Sequence, residues 1–348
     1  MLKAMNKRIV LTIGAVLVLL VAGAIALFWL ETGQPELFQK PAKVYRIGIL
    51  DGFDFFGGTI TGFKEGLTGL GFIEGKNVQY DVQTTGVNTE KYDEVLRKFA
   101  DDKVDLIMTF PTEASLEAKK VAQTTGIPVV FTNANVEGVD LIDSIQKPGN
   151  NITGVRYPGP DIASTRLEIM KKLVPAAHDI LVPYDKTYLN VPPQLDALHK
   201  EAAMLNINII EVPVETPEEL QTKLDALFKE GQKIDAIVNI AETVSGDPSY
   251  VEVLGKFAEE HEIPWGGALT LKKDGYTRES LFGISVDPVA VGQQAAQLAE
   301  KILVGGIPAG TIPVSSAESY FVINYGAMTK MGITPDKSIL AGAQEVIR

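Results

Sequence analysis

Apolar positions along this chain fall into short runs that switch between two spacings. In Val44–Leu50, Ile47, Ile49 and Leu50 make a short buried strand, which breaks into a glycine-punctuated loop at Gly52–Gly58. Thr59–Leu70 then places Ile60, Phe63, Leu67 and Leu70 at helical spacing, and Gly71 ends it. Val78, Tyr80 and Val82 alternate as a strand after the turn Gly75-Lys76-Asn77. Tyr92, Val95, Leu96 and Phe99 give a second helix, Asp105–Phe110 a buried strand, Glu113–Thr124 a third helix and Val129–Thr132 another strand. Strands alternating with helices of this length imply βαβ units and a parallel sheet.

Lys147–Gly154, with Pro148 and Gly149, reads as a boundary, after which the alternation restarts. A helix over Ile162–Val174 leads to strand Ile180–Pro183, helix Gln194–Leu205 and strand Ile207–Val212. Thr216-Pro217-Glu218-Glu219 is a capping box with proline at the first helical position, opening a helix to about Lys229. Strand Ala236–Ile240, helix Tyr250–His261 and strand Ile263–Gly266 complete a second set. The two sets echo each other. Lys103-Val104-Asp105-Leu106-Ile107-Met108 is matched by Lys233-Ile234-Asp235-Ala236-Ile237-Val238, and one helix later Gly126-Ile127-Pro128-Val129 by Glu262-Ile263-Pro264-Trp265. Two pairings in the same order favour two similar α/β lobes. The tail breaks the pattern with strand Phe282–Val286, a helix from Asp287-Pro288 to about Val304, Gly305-Gly306 and strand Tyr320–Asn324. It is long enough to cross to the first lobe and return, and several crossings make a hinge.

Ile9–Leu30 is an uncharged apolar run, long enough for a helix to span a bilayer, with Lys3, Lys7 and Arg8 on its N-terminal side. The positive-inside rule puts that side in the cytoplasm and the body outside. Two readings stand: a retained anchor, or a cleaved signal peptide with Ala24-Ile25-Ala26 as the cleavage site. Glu31–Lys43, with Pro35 and Pro41, reads as a tether.

Charge and composition narrow the function. The net charge is −12, and setting aside the three N-terminal cations leaves −15 on residues 31–348. An acidic body argues against nucleic acid as a partner. The chain has no cysteine, which removes disulfides, thiolate catalysis and cysteine metal sites. The loop after the first strand is not G-x-G-x-x-G, no Walker-type G-K-S/T occurs, and His178, His199 and His261 have no metal-ligand spacing. No catalytic residue, metal or cofactor is expected.

Several stretches carry a resemblance: Gly62-Phe63-Lys64-Glu65-Gly66-Leu67 with Leu70–Val78, Asp105-Leu106-Ile107, Ile127–Thr132, Lys147-Pro148-Gly149-Asn150-Asn151-Ile152-Thr153-Gly154-Val155, and Ala299-Glu300-Lys301-Ile302-Leu303. From about Val44 to the C-terminus the chain resembles the ABC-transporter substrate-binding protein family that includes tryptophan and tyrosine binders, with the periplasmic-binding-protein type I fold. The resemblance implies two Rossmann-like α/β lobes that close on a small molecule and deliver it to a membrane permease. It implies ligand loops at Gly52–Phe56, Pro111-Thr112, Thr132–Asn135, near Tyr184, at Glu242-Thr243 and at Ala268-Leu269. This chain departs from its relatives at three of them: Thr132-Asn133-Ala134-Asn135 replaces a T-D-P, Ala241-Glu242-Thr243-Val244 replaces a T-D-N-T-like loop, and Ala268-Leu269-Thr270 lacks a carboxylate. The resemblance therefore carries the fold and not the ligand.

Each candidate has a functional and a structural reading. Phe53, Phe55 and Phe56 around Asp54, beside Gly52, offer an aromatic wall with an acceptor for a cation, or simply pack beneath their loop. Pro111 and Thr112 sit where a strand meets a helix N-terminus, fit to hold a carboxylate or to cap the helix. Thr132, Asn133 and Asn135 are either directional hydrogen-bonding groups or turn residues. Tyr184 and Asp185 are candidates for the opposite wall. Glu242 with Thr243 is the best second-lobe carboxylate, a seat for an ammonium group or a solvated loop residue; Ala268 closes the set.

The expected domains are a signal or anchor helix at 1–30, a tether at 31–43, a first lobe of 44–154 with about 282–312, and a second of 155–281 with about 313–348. The expected function is an extracytoplasmic solute-binding protein of an ABC importer, taking an amino acid or another small, aromatic solute. A membrane-tethered sensory receptor without transport is the alternative.

Overall fold

The computed structural model describes residues 43–52, 57–86, 88–268 and 280–348. The apolar segment Ile9–Leu30 lies outside them, and among the described residues no helix is long and apolar enough to cross a membrane.

The first sheet grows from β1 (Tyr45–Asp51). Its side chains alternate as a pleated strand requires. Ile47 and Ile49 enter the core that holds Phe63 and Leu67 of α1 (Gly58–Gly69), while Leu50 enters a second core on the opposite face. That second core holds Tyr92, Leu96 and Phe99 of α2 (Thr89–Asp101) and Ala114 and Ala118 of α3 (Thr112–Thr125). β2 (Val78–Thr84) and β3 (Leu106–Phe110) flank β1 on either side, both parallel to it. β4 (Val129–Ala134) and β5 (Ile152–Arg156) continue beyond β3. A two-residue strand, Ser315–Ser316, pairs parallel with β5 and completes the order, in which it is followed by β5, β4, β3, β1 and β2. The chain reverses its direction of growth between β1 and β3.

The second sheet repeats the scheme with β6 (Asp179–Asp185), β7 (Asn208–Val214), β8 (Ala236–Val238) and β9 (Trp265–Gly266), in the order β7-β6-β8-β9. Its reversal lies between β6 and β8. The sequence echo has an atomic counterpart. The Asp105 carboxylate accepts from the Arg46 amide at the start of β1, at 2.8 Å. Asp235, its counterpart, accepts from Asp179 at the start of β6, at 2.9 Å. Gly126 and Glu262, the paired positions one helix later, both take left-handed backbone with φ of 73° and 52°. The helices of this half are α4 (Gly159–Leu173), α5 (Val191–Leu205), α6 (Pro217–Lys229), a single turn α7 (Thr243–Gly246) and α8 (Pro248–Glu260). At the start of α6 the Thr216 hydroxyl caps the Glu219 amide as the box predicts, but the Glu219 carboxylate takes the amide of Glu215.

Three expected lobe assignments change. Val155-Arg156, expected to begin the second lobe, ends β5 in the first sheet, because Ile152–Arg156 pairs in register with Val129–Ala134. The strand Phe282–Val286 (β10), expected with the first lobe, bridges to Gly267 and pairs antiparallel with Ser319–Asn324, which extends the second half instead. Ser315–Ser316, expected with the second lobe, lies on the first sheet. The chain therefore passes between the halves after Arg156, after Val286 and after Ser316.

The middle passage delivers helix α9 (Pro288–Leu303), whose first turn is capped by Asp287. It packs on α1 almost backbone to backbone. A Cβ on Gly62 would overlap the Val289 carbonyl oxygen, one on Gly292 would overlap that of Thr59, and one on Gly66 would lie 2.7 Å from the Ala296 Cβ. Glycine at these three positions is what seats the returning helix on the first half.

Candidate functional site

In open α/β sheets ligands lie beyond the carboxyl ends of the strands, at the point where strand order reverses. Both reversal points here open on one cavity of about 540 Å³, lined by Pro111, Thr112, Asn133 and Asn135 from the first half and by Tyr188, Ala241, Glu242 and Thr243 from the second. Its size falls within the usual range for small-molecule sites.

Asn133 reaches the cavity through a backbone irregularity. The register between β4 and β5 shifts between Thr132 and Ala134, and Asn133 takes a left-handed φ of 48°, which asparagine tolerates better than most residues. Its Nδ2 donates to the Thr59 hydroxyl at 2.8 Å, which fixes the amide, and its Oδ1 is buried without a hydrogen-bond partner among the described residues. Thr112 uses its hydroxyl as a brace, accepting from the Asn135 amide at 3.0 Å and from Asn190 Nδ2 of the second half at 3.4 Å.

On the facing wall, Gln194 of α5 grips the Ala241 backbone from both sides. Its Nε2 donates to the carbonyl and its Oε1 accepts from the amide, each at 3.0 Å. This holds Glu242 at the start of α7, where it is only 7% exposed. Glu242 Oε2 accepts from the amides of Asp185 and Val244 at 2.9 and 3.0 Å, and the Glu242 amide donates to the Ser245 hydroxyl at 3.2 Å. Oε1 is buried with no partner among the described residues. Burial dominates and pushes the Glu242 carboxyl up to about 7, against the lowering effect of its amide donors. Glu113 also lines the cavity, and burial raises its pKa too. Tyr188 of the same cavity is held above the ordinary phenol range by burial first and then by the negative charges of Glu113 and Glu242.

At the hinge, Arg166 is completely buried. It donates through Nη2 to the Tyr157 hydroxyl at 2.9 Å and to the Ile284 carbonyl at 2.6 Å. Tyr157 and Ser285, the neighbour of Ile284, both line the cavity. This guanidinium thus ties together the first and second passages of the chain directly beneath the site.

Of the residues expected at the site, the structure gathers Pro111, Thr112, Asn133, Asn135, Glu242, Thr243 and Ala268 around the cavity. Phe53, Asp54, Phe55 and Phe56 lie outside the described residues. Four others do not line it. Gly52 is buried, its carbonyl accepting from the Tyr92 hydroxyl at 3.3 Å. Thr132 is fully buried and its hydroxyl donates to the Thr109 carbonyl at 3.4 Å. Tyr184 points to the other side of β6, where its hydroxyl donates to Glu211 of β7 at 2.6 Å. Asp185 contributes its amide to Glu242 and uses its carboxylate to build a turn with Thr187. Tyr184 shares a core with Ile180 and Val182, and its ring leans toward β7, away from β8 and Glu242. Tyr157, Tyr188 and the turn Ser245–Pro248 join the site unannounced. Only Asp247-Pro248, a cap-and-proline pair, carries a local signal of its own.

Comparison with known proteins agrees with this geometry. The family profile described as ABC transporter substrate binding protein matches residues 54–347. A tyrosine-binding protein of Clostridioides difficile (strain R20291) is 28% identical over 267 residues, covering 76% of this chain and 73% of the relative. Among solved structures, a conserved domain protein from Vibrio cholerae superposes with a TM-score of 0.71 at 26% identity, covering 88% of this chain and all of the other. An ABC domain in complex with L-Trp from Streptococcus pneumonia superposes with a TM-score of 0.73 at 21% identity, again over 88% and 100% of the two chains. At that identity the second structure speaks to the fold alone.

Proposed function

We propose that this chain, which belongs to the ABC transporter substrate-binding protein family, captures a small solute between its two halves and delivers it to a membrane permease. The family is one of extracytoplasmic solute-binding proteins. The observation that carries the reading is the cavity where both strand-order reversals meet, with buried, unpartnered acceptors at Asn133 Oδ1 and Glu242 Oε1 on opposite walls. A solute carrying hydrogen-bond donors satisfies both and bridges the halves. Because it binds the closed arrangement better than an open one, it shifts the hinge toward closure, and the closed form docks on the permease. No chemical step is involved.

Two finer points belong to the same proposal. The solute is an amino acid or another small, aromatic molecule, in keeping with the tyrosine-binding relative. Residues Ile9–Leu30 hold the protein at the outer face of the membrane, with Glu31–Lys43 as the tether. A thermal-shift screen against amino acids, amines, nucleosides, purines, sugars and small aromatic acids tests the reading. A solute at a hundred times its Kd adds about 2.7 kcal/mol to the native state. At least one class is expected to raise the melting temperature, and Asn133→Ala should abolish the shift. Silence across the panel refutes the reading.

A further inference from the structure

Arg166 carries a completely buried charge that no acid among the described residues neutralises. Its Nε and Nη2 donate to the Ile284 carbonyl at 3.1 and 2.6 Å, and Nη2 donates to the Tyr157 hydroxyl at 2.9 Å. Neither partner is a carboxylate, and Nη1 is buried with no partner among the described residues. A guanidinium has five N–H donors, so both of those on Nη1 go unused. A charge buried without a counter-charge is costly.

Tyr157 carries that charge to the cavity. Its oxygen accepts from Arg166, so its own O–H points elsewhere, and it donates to no group among the described residues. Tyr157 is only 4% exposed and lines the cavity, which no lysine or arginine among the described residues does. A hydroxyl that accepts from a guanidinium is the stronger donor for it, because hydrogen bonds in a chain polarise one another. The complement of such a donor is an acceptor, and a negatively charged one also answers Arg166.

A second seat competes for a solute carboxylate. The N-terminus of α3 begins at Pro111 with no side-chain cap, and Thr112 stands beside it. Glu113, however, lies in that first turn and also lines the cavity, so an anion there meets a like charge. At Tyr157 the charge within hydrogen-bond reach is positive.

We propose that Tyr157 receives a carboxylate of the solute and that Arg166 is a positioning residue, which orients the Tyr157 hydroxyl and compensates the carboxylate's charge. This deepens the solute-binding reading and rests on it. It also gives the hinge a part in recognition. Tyr157 lies at the first passage between the halves and Ile284 just before the second, and Arg166 holds both.

The experiment is calorimetric titration of the full chain with matched pairs that differ by one carboxylate: L-tryptophan and tryptamine, L-tyrosine and tyramine, L-ornithine and putrescine, L-lysine and cadaverine. In at least one pair the carboxylate member is expected to bind about tenfold tighter or better, the scale of one hydrogen bond to a charged group. Tyr157→Phe should erase that preference, weakening the carboxylate member about tenfold and the amine less than about twofold. Arg166→Met, the second variant should the first fail to fold, should reduce the preference too; a purely structural role would weaken both members alike. A preference that survives Tyr157→Phe overturns the inference, and its loss in Thr112→Val would then move the carboxylate to the start of α3. Equal or tighter binding of the amine in every pair overturns it as well, as does binding confined to sugars or nucleosides. All of these leave the solute-binding reading intact. Silence of these pairs and of the whole thermal-shift panel overturns both.

Discussion

Replacing Glu242 by glutamine should stabilise the unliganded protein, increasingly as pH rises above about 4.5 and fully above about 7. An ordinary glutamate titrates near 4.5, and burial pushes Glu242 up to about 7. Between those values the native state keeps a proton that the unfolded state has released. Stability therefore falls as pH rises across this window, by about 1.4 kcal/mol per pH unit. The accumulated cost is about 3 kcal/mol once pH exceeds the native value, and it is absent below the unfolded one. Glutamine is nearly isosteric, and its Oε1 can still accept from the Asp185 and Val244 amides that now bond to Oε2. It has no charge to desolvate. In a chain of this size about 3 kcal/mol corresponds to roughly 5 °C in melting temperature. Melts of the two proteins without ligand, from about pH 5 to pH 8, should nearly coincide at the acid end. At the alkaline end the variant should melt roughly 5 °C higher. A pH-independent difference, or a variant less stable at pH 8, refutes the claim that Glu242 is a charge buried at the expense of stability. Such a sacrifice at a binding site trades stability for function.

Gly62→Ala should cost about 3 kcal/mol in urea unfolding, because the new methyl meets the Val289 carbonyl rather than a side chain that can move; a cost below 1 kcal/mol would mean that α1 and α9 slide freely. Arg166→Met strips the donor from the buried Ile284 carbonyl and the Tyr157 hydroxyl and should destabilise by about 2 kcal/mol, measured the same way. Tyr184→Phe should leave solute affinity unchanged in a calorimetric titration, since its hydroxyl serves Glu211 on the far side of β6; a tenfold loss would return Tyr184 to the site.

The strand and helix order was legible because apolar spacing is a local property. Ile47, Ile49 and Leu50, or Leu181 between Ile180 and Val182, announce a pleated strand buried on both faces. The duplicated Asp105 and Asp235 were visible as sequence and proved to be the same backbone clasp. What could not be read was which sheet a strand joins. Ile152–Arg156 has strand spacing, but its glycine and asparagine neighbours read as a boundary, and only pairing with β4 settles the matter. The loops showed where a cavity would lie and not which side chains would turn into it. Asn133 enters on a bulge, while Tyr184, one position past Pro183 in the second sheet, is drawn toward Glu211 of β7. Tyr157 and Tyr188 had no local signal, because their place depends on how α4 and α5 pack against each other.

The central claim, that a solute sits where the two strand-order reversals meet, is tested most directly by hydrogen–deuterium exchange with and without the best compound of the thermal-shift screen. New protection is expected around Pro111–Glu113, Asn133–Asn135, Asp185–Asn190 and Ala241–Asp247, the segments that line or brace the cavity. Protection confined to other segments, with these four unchanged, would place the solute elsewhere and contradict the account.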